Sequence, residues 1–262
     1  MQGKDVRIPA STYRLQFNRD FNFAQGRAIL DYLKELGISD LYSSPIFLAT
    51  PDSTHGYDVC GFEVNPNLGT LEQFDKLAAD LQARGMGLLL DIVPNHMGNH
   101  LSNCIWRDVL KHGPNSPNAA FFDIDWNPRG APSLQGKVLL PTLGDHYAEV
   151  LKRDELKLVL DKDEVQLAYF DRLFPVSPES EQALRATGRP IEKLLAEINE
   201  DKTKLHEVIQ QQHYRLAFWR VGPYEINYRR FFDINDLISV RVEDEDVFRR
   251  SHELTLEWVR SG

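Results

Sequence analysis

Read from its amino end, the chain alternates strand-like and helix-like patterns for its first hundred residues. Ser11-Thr12-Tyr13-Arg14-Leu15-Gln16-Phe17 is rich in strand formers. Asn22 followed by Gln25 has capping-box spacing. Ala24, Ala28, Ile29, Tyr32, Leu33 and Leu36 then fall on one helical face, and Gly37 stands where a left-handed cap ends a helix. Ile38 to Tyr42 makes a second strand. After a loop the cycle repeats: Thr70 and Gln73 form a second capping box, Phe74, Leu77, Ala78 and Leu81 an apolar stripe, and Gly85 a stop. Gly87-Leu88-Leu89-Leu90-Asp91-Ile92-Val93 is nearly all apolar, as a parallel strand buried on both faces should be. The alternation predicts an α/β fold with a parallel sheet.

After Pro94 the rhythm is lost until about Tyr228. Aromatic and Pro-rich stretches such as Phe121-Phe122-Asp123-Ile124-Asp125-Trp126-Asn127-Pro128 give way to a strand-like Leu156 to Leu160. A helical region follows, with Ile191, Leu194, Leu195, Ile198, Leu205, Val208 and Ile209 on its apolar face. This stretch reads as a subdomain inserted after the third strand. From Asp244, an N-cap candidate, Val247, Phe248, Leu254 and Val259 predict a last helix. The expected organisation is residues 1–94 as the first part of the α/β body, 95–227 as the inserted subdomain, and 228–262 as the return and the helix before a fourth strand.

Composition narrows the function. The 262 residues carry a formal charge of −9 with a pI near 5.4 and show no Lys/Arg run, which argues against nucleic acid and anionic membrane surfaces as partners. Cys60 and Cys104 lack CxxC spacing, so neither a disulfide framework nor a zinc ribbon is indicated. No apolar run reaches membrane-spanning length, and Met1 to Asp5 lacks the character of a secretory leader. A cytoplasmic protein is the expectation.

Chemistry is expected at the ends of the strands, since the carboxyl ends of parallel strands open into the site. Asn95 and His96 follow the third strand there. Asp91 sits in an apolar strand, where a carboxylate needs a partner, and Arg14 on the first strand is a candidate. Ser53-Thr54-His55-Gly56-Tyr57-Asp58 follows the second strand and sets an aromatic ring beside a carboxylate, a pairing suited to sugars. His96 and His100 are spaced as two metal ligands on a helix, but they follow a Pro-Asn turn and no third ligand is evident, so no metal is expected.

Asp91-Ile92-Val93-Pro94-Asn95-His96 and the preceding His55-Gly56-Tyr57-Asp58 resemble signature segments of the α-amylase clan of glycoside hydrolases. Within that clan the chain is similar to the maltooligosyltrehalose synthase family, the (1→4)-α-D-glucan 1-α-D-glucosylmutases. The likeness runs through Leu41-Tyr42-Ser43-Ser44-Pro45, Leu140-Pro141-Thr142-Leu143-Gly144, His213-Tyr214-Arg215-Leu216 and Glu225 to Asn235.

The resemblance implies a partial (β/α)8 TIM barrel, its first three βα units, with a large subdomain inserted after strand 3. It implies that His96 bonds the sugar in subsite −1, that Tyr57 is the platform beneath it, and that Asp91 organises the site without attacking. Asn95, Asp58 and Arg229 become further candidates for sugar contact. For Arg229, with Arg230, a surface ion pair is the slightly favoured reading, and the calcium that many amylases hold near the position of Asn95 is not carried over.

Retaining enzymes of the clan use two carboxylates, a nucleophile in a Gly-x-Arg-x-Asp pattern and an acid/base glutamate one strand later. Neither motif occurs in these residues, and Asp123, Asp125, Asp233 and Asp236 read as turn and cap residues. The expectation is therefore the front portion of a larger enzyme that acts on maltooligosaccharides without a cofactor, its catalytic pair and possible partner being the missing C-terminal part. The alternatives are a hydrolytic amylase-type enzyme and a non-catalytic glucan-binding fragment.

Overall fold

The computed structural model describes residues 8–261, which divide into two compact units, residues 1–98 with 249–262, and residues 99–248. Met1 to Asp5 and Gly262 lie outside the described residues.

The first unit begins with β1 (Thr12–Leu15) and a helical stretch that the sequence predicts as one helix. It is two: α1 (Phe23–Ala28) and α2 (Leu30–Glu35), broken at Ile29, whose φ of −105° and ψ of 6° lie outside the helical region. Gly26 accounts for the weakness of α1. Its lack of a side chain admits Phe17, whose ring a Cβ there would meet at 2.7 Å, and glycine costs about 1 kcal/mol in a helix. The Asn22/Gln25 capping box is formed in full. Gly37, at φ +86°, closes α2 with its N–H on the Lys34 carbonyl.

β2 (Asp40–Ser43) pairs in parallel with β1, and β5 (Gly87–Leu90) pairs in parallel with β2, in the order β1-β2-β5. The stretch between β2 and the next helix, read as a loop, contains an antiparallel hairpin instead: β3 (Phe47–Ala49) and β4 (Val59–Val64). Its strands are short and their register is broken, so the alternation is too brief to stand out. α3 (Leu71–Ala83) carries the predicted Thr70/Gln73 capping box. Gly85 follows it at φ +64°. β6 (His96–Gly98) is fully buried.

The core of this unit joins Leu15, Phe17, Phe23, Leu30, Leu33, Leu41, Leu77 and Leu81. Each such side chain contributes about 1.5–3 kcal/mol by leaving water.

The second unit opens with α4 (Cys104–His112), whose first turn is capped by Asn103 Oδ1 accepting from the N–H groups of Ile105 and Trp106, both at 3.1 Å. β7 (Val138–Leu143) is followed by α5 (Tyr147–Lys152) and then a three-stranded antiparallel meander. Its strands are β8 (Leu156–Asp161), β9 (Glu164–Tyr169) and β10 (Arg172–Pro175), and only the first was legible in the sequence. The β8–β9 turn is made by Lys162 and Asp163 at φ +47° and +66°, the double left-handed turn that suits strand twist.

Three helices follow, α6 (Pro178–Arg185), α7 (Ile191–Glu200) and α8 (Lys202–Gln210). β11 (Tyr214–Phe218) then pairs in parallel with β7. Asn227 ties this pair to the chain around it, donating to the carbonyls of Asp125 and Lys137 at 2.8 Å and accepting from Leu139 N–H at 2.9 Å. α9 (Gly222–Glu225) and β12 (Leu237–Ser239) complete the unit. An aromatic cluster of Trp106, Phe121, Phe122 and Tyr228 fills its centre, with ring separations of 5.3–5.9 Å.

α10 (Glu245–Ser261) starts in the second unit at the predicted N-cap, Asp244, whose Oδ1 accepts from Asp246 and Val247 N–H at 3.0 and 3.2 Å. It ends in the first, where the Trp258 ring packs 4.7 Å from Phe74.

Candidate functional site

The parallel register of the first unit decides which polar side chains meet. Arg14 of β1 lies opposite Tyr42 of β2, and β5 continues the sheet so that Asp91, one residue past it, still donates its N–H to the Ser43 carbonyl at 3.1 Å. β5 is shorter than the predicted strand, which places Asp91 at its exit rather than within it.

Asp91 is the centre of the cluster. Its Oδ2 accepts from Tyr57 Oη at 2.6 Å, Tyr42 Oη at 3.2 Å and Arg14 Nη2 at 3.4 Å. Arg14 Nη2 also donates to Tyr57 Oη at 2.9 Å, and the guanidinium lies 5.2 Å from the centre of the Tyr42 ring. Arg14 is thus the partner the sequence nominated. Among the described residues Asp91 Oδ1 has no hydrogen-bond partner, and the side chain keeps 17% of its exposure. The bond to Asp91 and, after it, partial burial raise the Tyr57 pKa, holding the phenol protonated.

Tyr57 is held from its other side by His96. The imidazole is 4% exposed, with Nε2 at 3.0 Å from the Tyr57 carbonyl and Nδ1 at 2.9 Å from the Asn95 side-chain amide. A carbonyl only accepts, so Nε2 carries the proton. The atom facing Nδ1 is Asn95 Oδ1, also an acceptor, so Nδ1 would have to donate to it. Burial lowers the His96 pKa and so opposes the doubly protonated ring. The sequence nominated His96 as a direct sugar contact; here both ring nitrogens are engaged by the protein.

Asp58 is likewise occupied. Its carboxylate accepts from the Thr50 and Ser53 hydroxyls, and His55 stands 3.8 Å away, which fixes the loop that carries Tyr57. Gly98 lies beneath that loop, where a Cβ would come within 2.9 Å of Thr50 Cγ2 and 3.1 Å of the Asp58 carbonyl. Arg229 belongs to the second unit and pairs with Asp123 at 3.8 Å, its side chain 76% exposed. Asp125 Oδ1 accepts from Asn127 N–H in a turn.

Sequence reasoning missed Tyr42, and also Gln16, which accepts from Arg14 Nη1 at 2.9 Å and donates to the carbonyls of Thr54 and His55. Tyr42 was findable, because a parallel register places it beside Arg14; Gln16 depends on loop geometry that no periodicity encodes.

Chemically, the cluster offers an ionisable carboxylate with one free oxygen beside a half-exposed phenol ring. Among the described residues no group of three or more His, Cys, Asp or Glu side chains is placed to hold a metal ion. No helix among them is long and apolar enough to cross a membrane.

Comparison with known proteins agrees with the resemblance. The α-amylase catalytic-domain family matches residues 27–150. A Mycobacterium tuberculosis protein named "Putative maltooligosyl trehalose synthase" is 39% identical over 260 residues, 96% of this chain and 29% of that protein. The solved maltooligosyltrehalose synthase of Arthrobacter ramosus superposes with a TM-score of 0.80 at 36% identity, over 97% of this chain and 30% of that one. A hypothetical maltooligosyl trehalose synthase of Sulfolobus tokodaii gives 0.74 at 35%, over 94% and 30%. The chain resembles these synthases over nearly its whole length and spans less than a third of theirs.

Proposed function

We propose that this chain is the N-terminal portion of a maltooligosyltrehalose synthase, an intramolecular glucosyl transferase that converts the reducing-end α-1,4 bond of a maltooligosaccharide into an α,α-1,1 bond. The carrying observation is the convergence of Arg14, Tyr57 and Asp91 at the exits of parallel strands, in a chain similar along its length to such synthases. In this reading β1, β2 and β5 are the first three strands of a (β/α)8 barrel. Residues 95–227 are the subdomain inserted after the third, and 228–262 return to the barrel. The protein acts in the cytoplasm.

The roles follow from the geometry. Tyr57 presents its ring to the apolar face of a glucose unit while its hydroxyl stays bound to Asp91. Asp91, anchored through Oδ2, keeps Oδ1 for the sugar hydroxyls. His96 and Asn95 act behind Tyr57 as positioning residues, and Asp58 holds the loop that bears it. Arg229 is a further candidate for sugar contact.

Bond cleavage needs two carboxylates about 5 Å apart. The proposal assigns both to the part of the protein that corresponds to the remaining two thirds of its relatives. One attacks the anomeric carbon to form a glucosyl-enzyme, and the other protonates the departing oxygen. The released glucose turns, and its anomeric hydroxyl, deprotonated by the second carboxylate, displaces the first. Water must be kept from the intermediate, or hydrolysis wins.

The test is product analysis of the full-length protein on maltopentaose. A non-reducing trehalosyl product is expected. Reducing sugars alone would make the protein a hydrolytic amylase, and no turnover by the full-length protein would leave a glucan-binding chain.

A further inference from the structure

The second unit contains a cleft of about 950 Å3 that none of the roles above uses, apart from Arg229 on its wall. We infer that this cleft is a binding site for a neutral oligosaccharide strand. Its volume lies in the range of pockets that enclose small ligands. The cleft lies between the β7–β11 pair, the Pro128–Ser133 turn and α9.

Four aromatic side chains line it, Tyr147, Phe218, Tyr224 and Tyr228. Tyr224 is 88% exposed, an unusual position for a large ring with no partner. The Phe218 ring centre lies 5.2 Å from that of His146. Tyr147 bonds His206 through its hydroxyl at 3.0 Å, which fixes the ring. Rings held in this way offer flat apolar faces to the carbon–hydrogen faces of pyranoses.

The charges select the kind of ligand. Three guanidinium groups, Arg129, Arg215 and Arg229, face three carboxylates, Asp123, Asp125 and Glu225. Only Arg229 and Asp123 pair; among the described residues the side chains of Arg129, Arg215 and Glu225 have no ion-pair or hydrogen-bond partner. The net charge of the wall is zero, so neither a phosphorylated ligand nor a polycation gains from it. Guanidinium and carboxylate groups each present two parallel hydrogen-bonding atoms, and a vicinal diol answers either in bidentate fashion. A wall that combines unpaired donors, unpaired acceptors and rings therefore suits a neutral polyhydroxylated chain. The α-1,4 linkage of that chain rests on the functional reading above; the preference for a neutral sugar does not.

The experiment is methyl-detected NMR of the 262-residue chain, with Ile226 and Ala217, which line the cleft, as reporters during titration with maltopentaose. Their signals should shift and saturate. Tyr224→Ala and Arg215→Ala should each weaken this response about tenfold, roughly 1.4 kcal/mol. Lys193→Ala, at a position that does not line the cleft, should leave it unchanged. The inference fails if maltopentaose leaves both methyls unmoved, if pyrophosphate moves them as well as the sugar does, or if Tyr224→Ala and Arg215→Ala leave the response intact. Because the readout needs no turnover, its failure is separate from failure of the product assay on the full-length protein.

Discussion

In the first unit, polar groups converge: two phenols and a guanidinium meet at one oxygen of Asp91, and the imidazole behind Tyr57 has no nitrogen left over. In the second unit, charged groups of both signs line a cleft and mostly ignore one another. The first arrangement fixes a geometry before any ligand arrives, which suits electrostatic work on a reacting centre. The second leaves its hydrogen-bonding capacity open, which suits holding a chain of repeating hydroxyls. What separates the two is how far the polar atoms are already paired, rather than how many there are.

Substitutions can break that contrast. The largest effect should come from Asp91→Ala, which strips three donors of their acceptor. In the full-length protein, trehalosyl-forming kcat/KM should fall at least about 100-fold, near 3 kcal/mol of barrier; a loss below tenfold would make the convergence structural only. Gly98→Ala should follow. Its new methyl needs space held by Thr50 Cγ2 and the Asp58 carbonyl, so urea unfolding of the 262-residue chain should show a loss of about 1–3 kcal/mol.

His96 gives a smaller, pH-dependent effect. Its pKa is lowered in the folded chain, so the unfolded chain takes up the proton first as pH drops. Stability is fully present above about pH 6.5 and declines below it, by at most about 1.4 kcal/mol per pH unit. His96→Asn should flatten that slope in unfolding curves between pH 7 and 5. The smallest effect belongs to the second unit. Arg229→Ala removes an exposed ion pair and should change unfolding free energy by less than about 1 kcal/mol; a larger loss would show that the cleft wall is held together as firmly as the Asp91 cluster.

What could be read beforehand follows the same division. The capping boxes at Asn22 and Thr70 and the glycine stops at positions 37 and 85 are local signals, and they marked the helices of the first unit. A buried parallel strand announces itself as an apolar run, as Gly87–Leu90 did. The hairpin β3–β4 and the strands β9 and β10 were hidden, because strands of three to six residues joined by tight turns leave too few alternations to count. In the site, Arg14 and Asp91 were legible because a charge in an apolar strand demands a partner. The engagement of His96 was not, since it depends on where the Tyr57 carbonyl points.

The Asp91 cluster joins residues 34, 43 and 77 positions apart in the chain. No single helix or hairpin brings them together; β1, β2 and β5 must all be laid down first. Closing such loops costs entropy that the contacts made across them must offset. The Tyr57–Asp91 bond therefore reports that the parallel sheet has found its register.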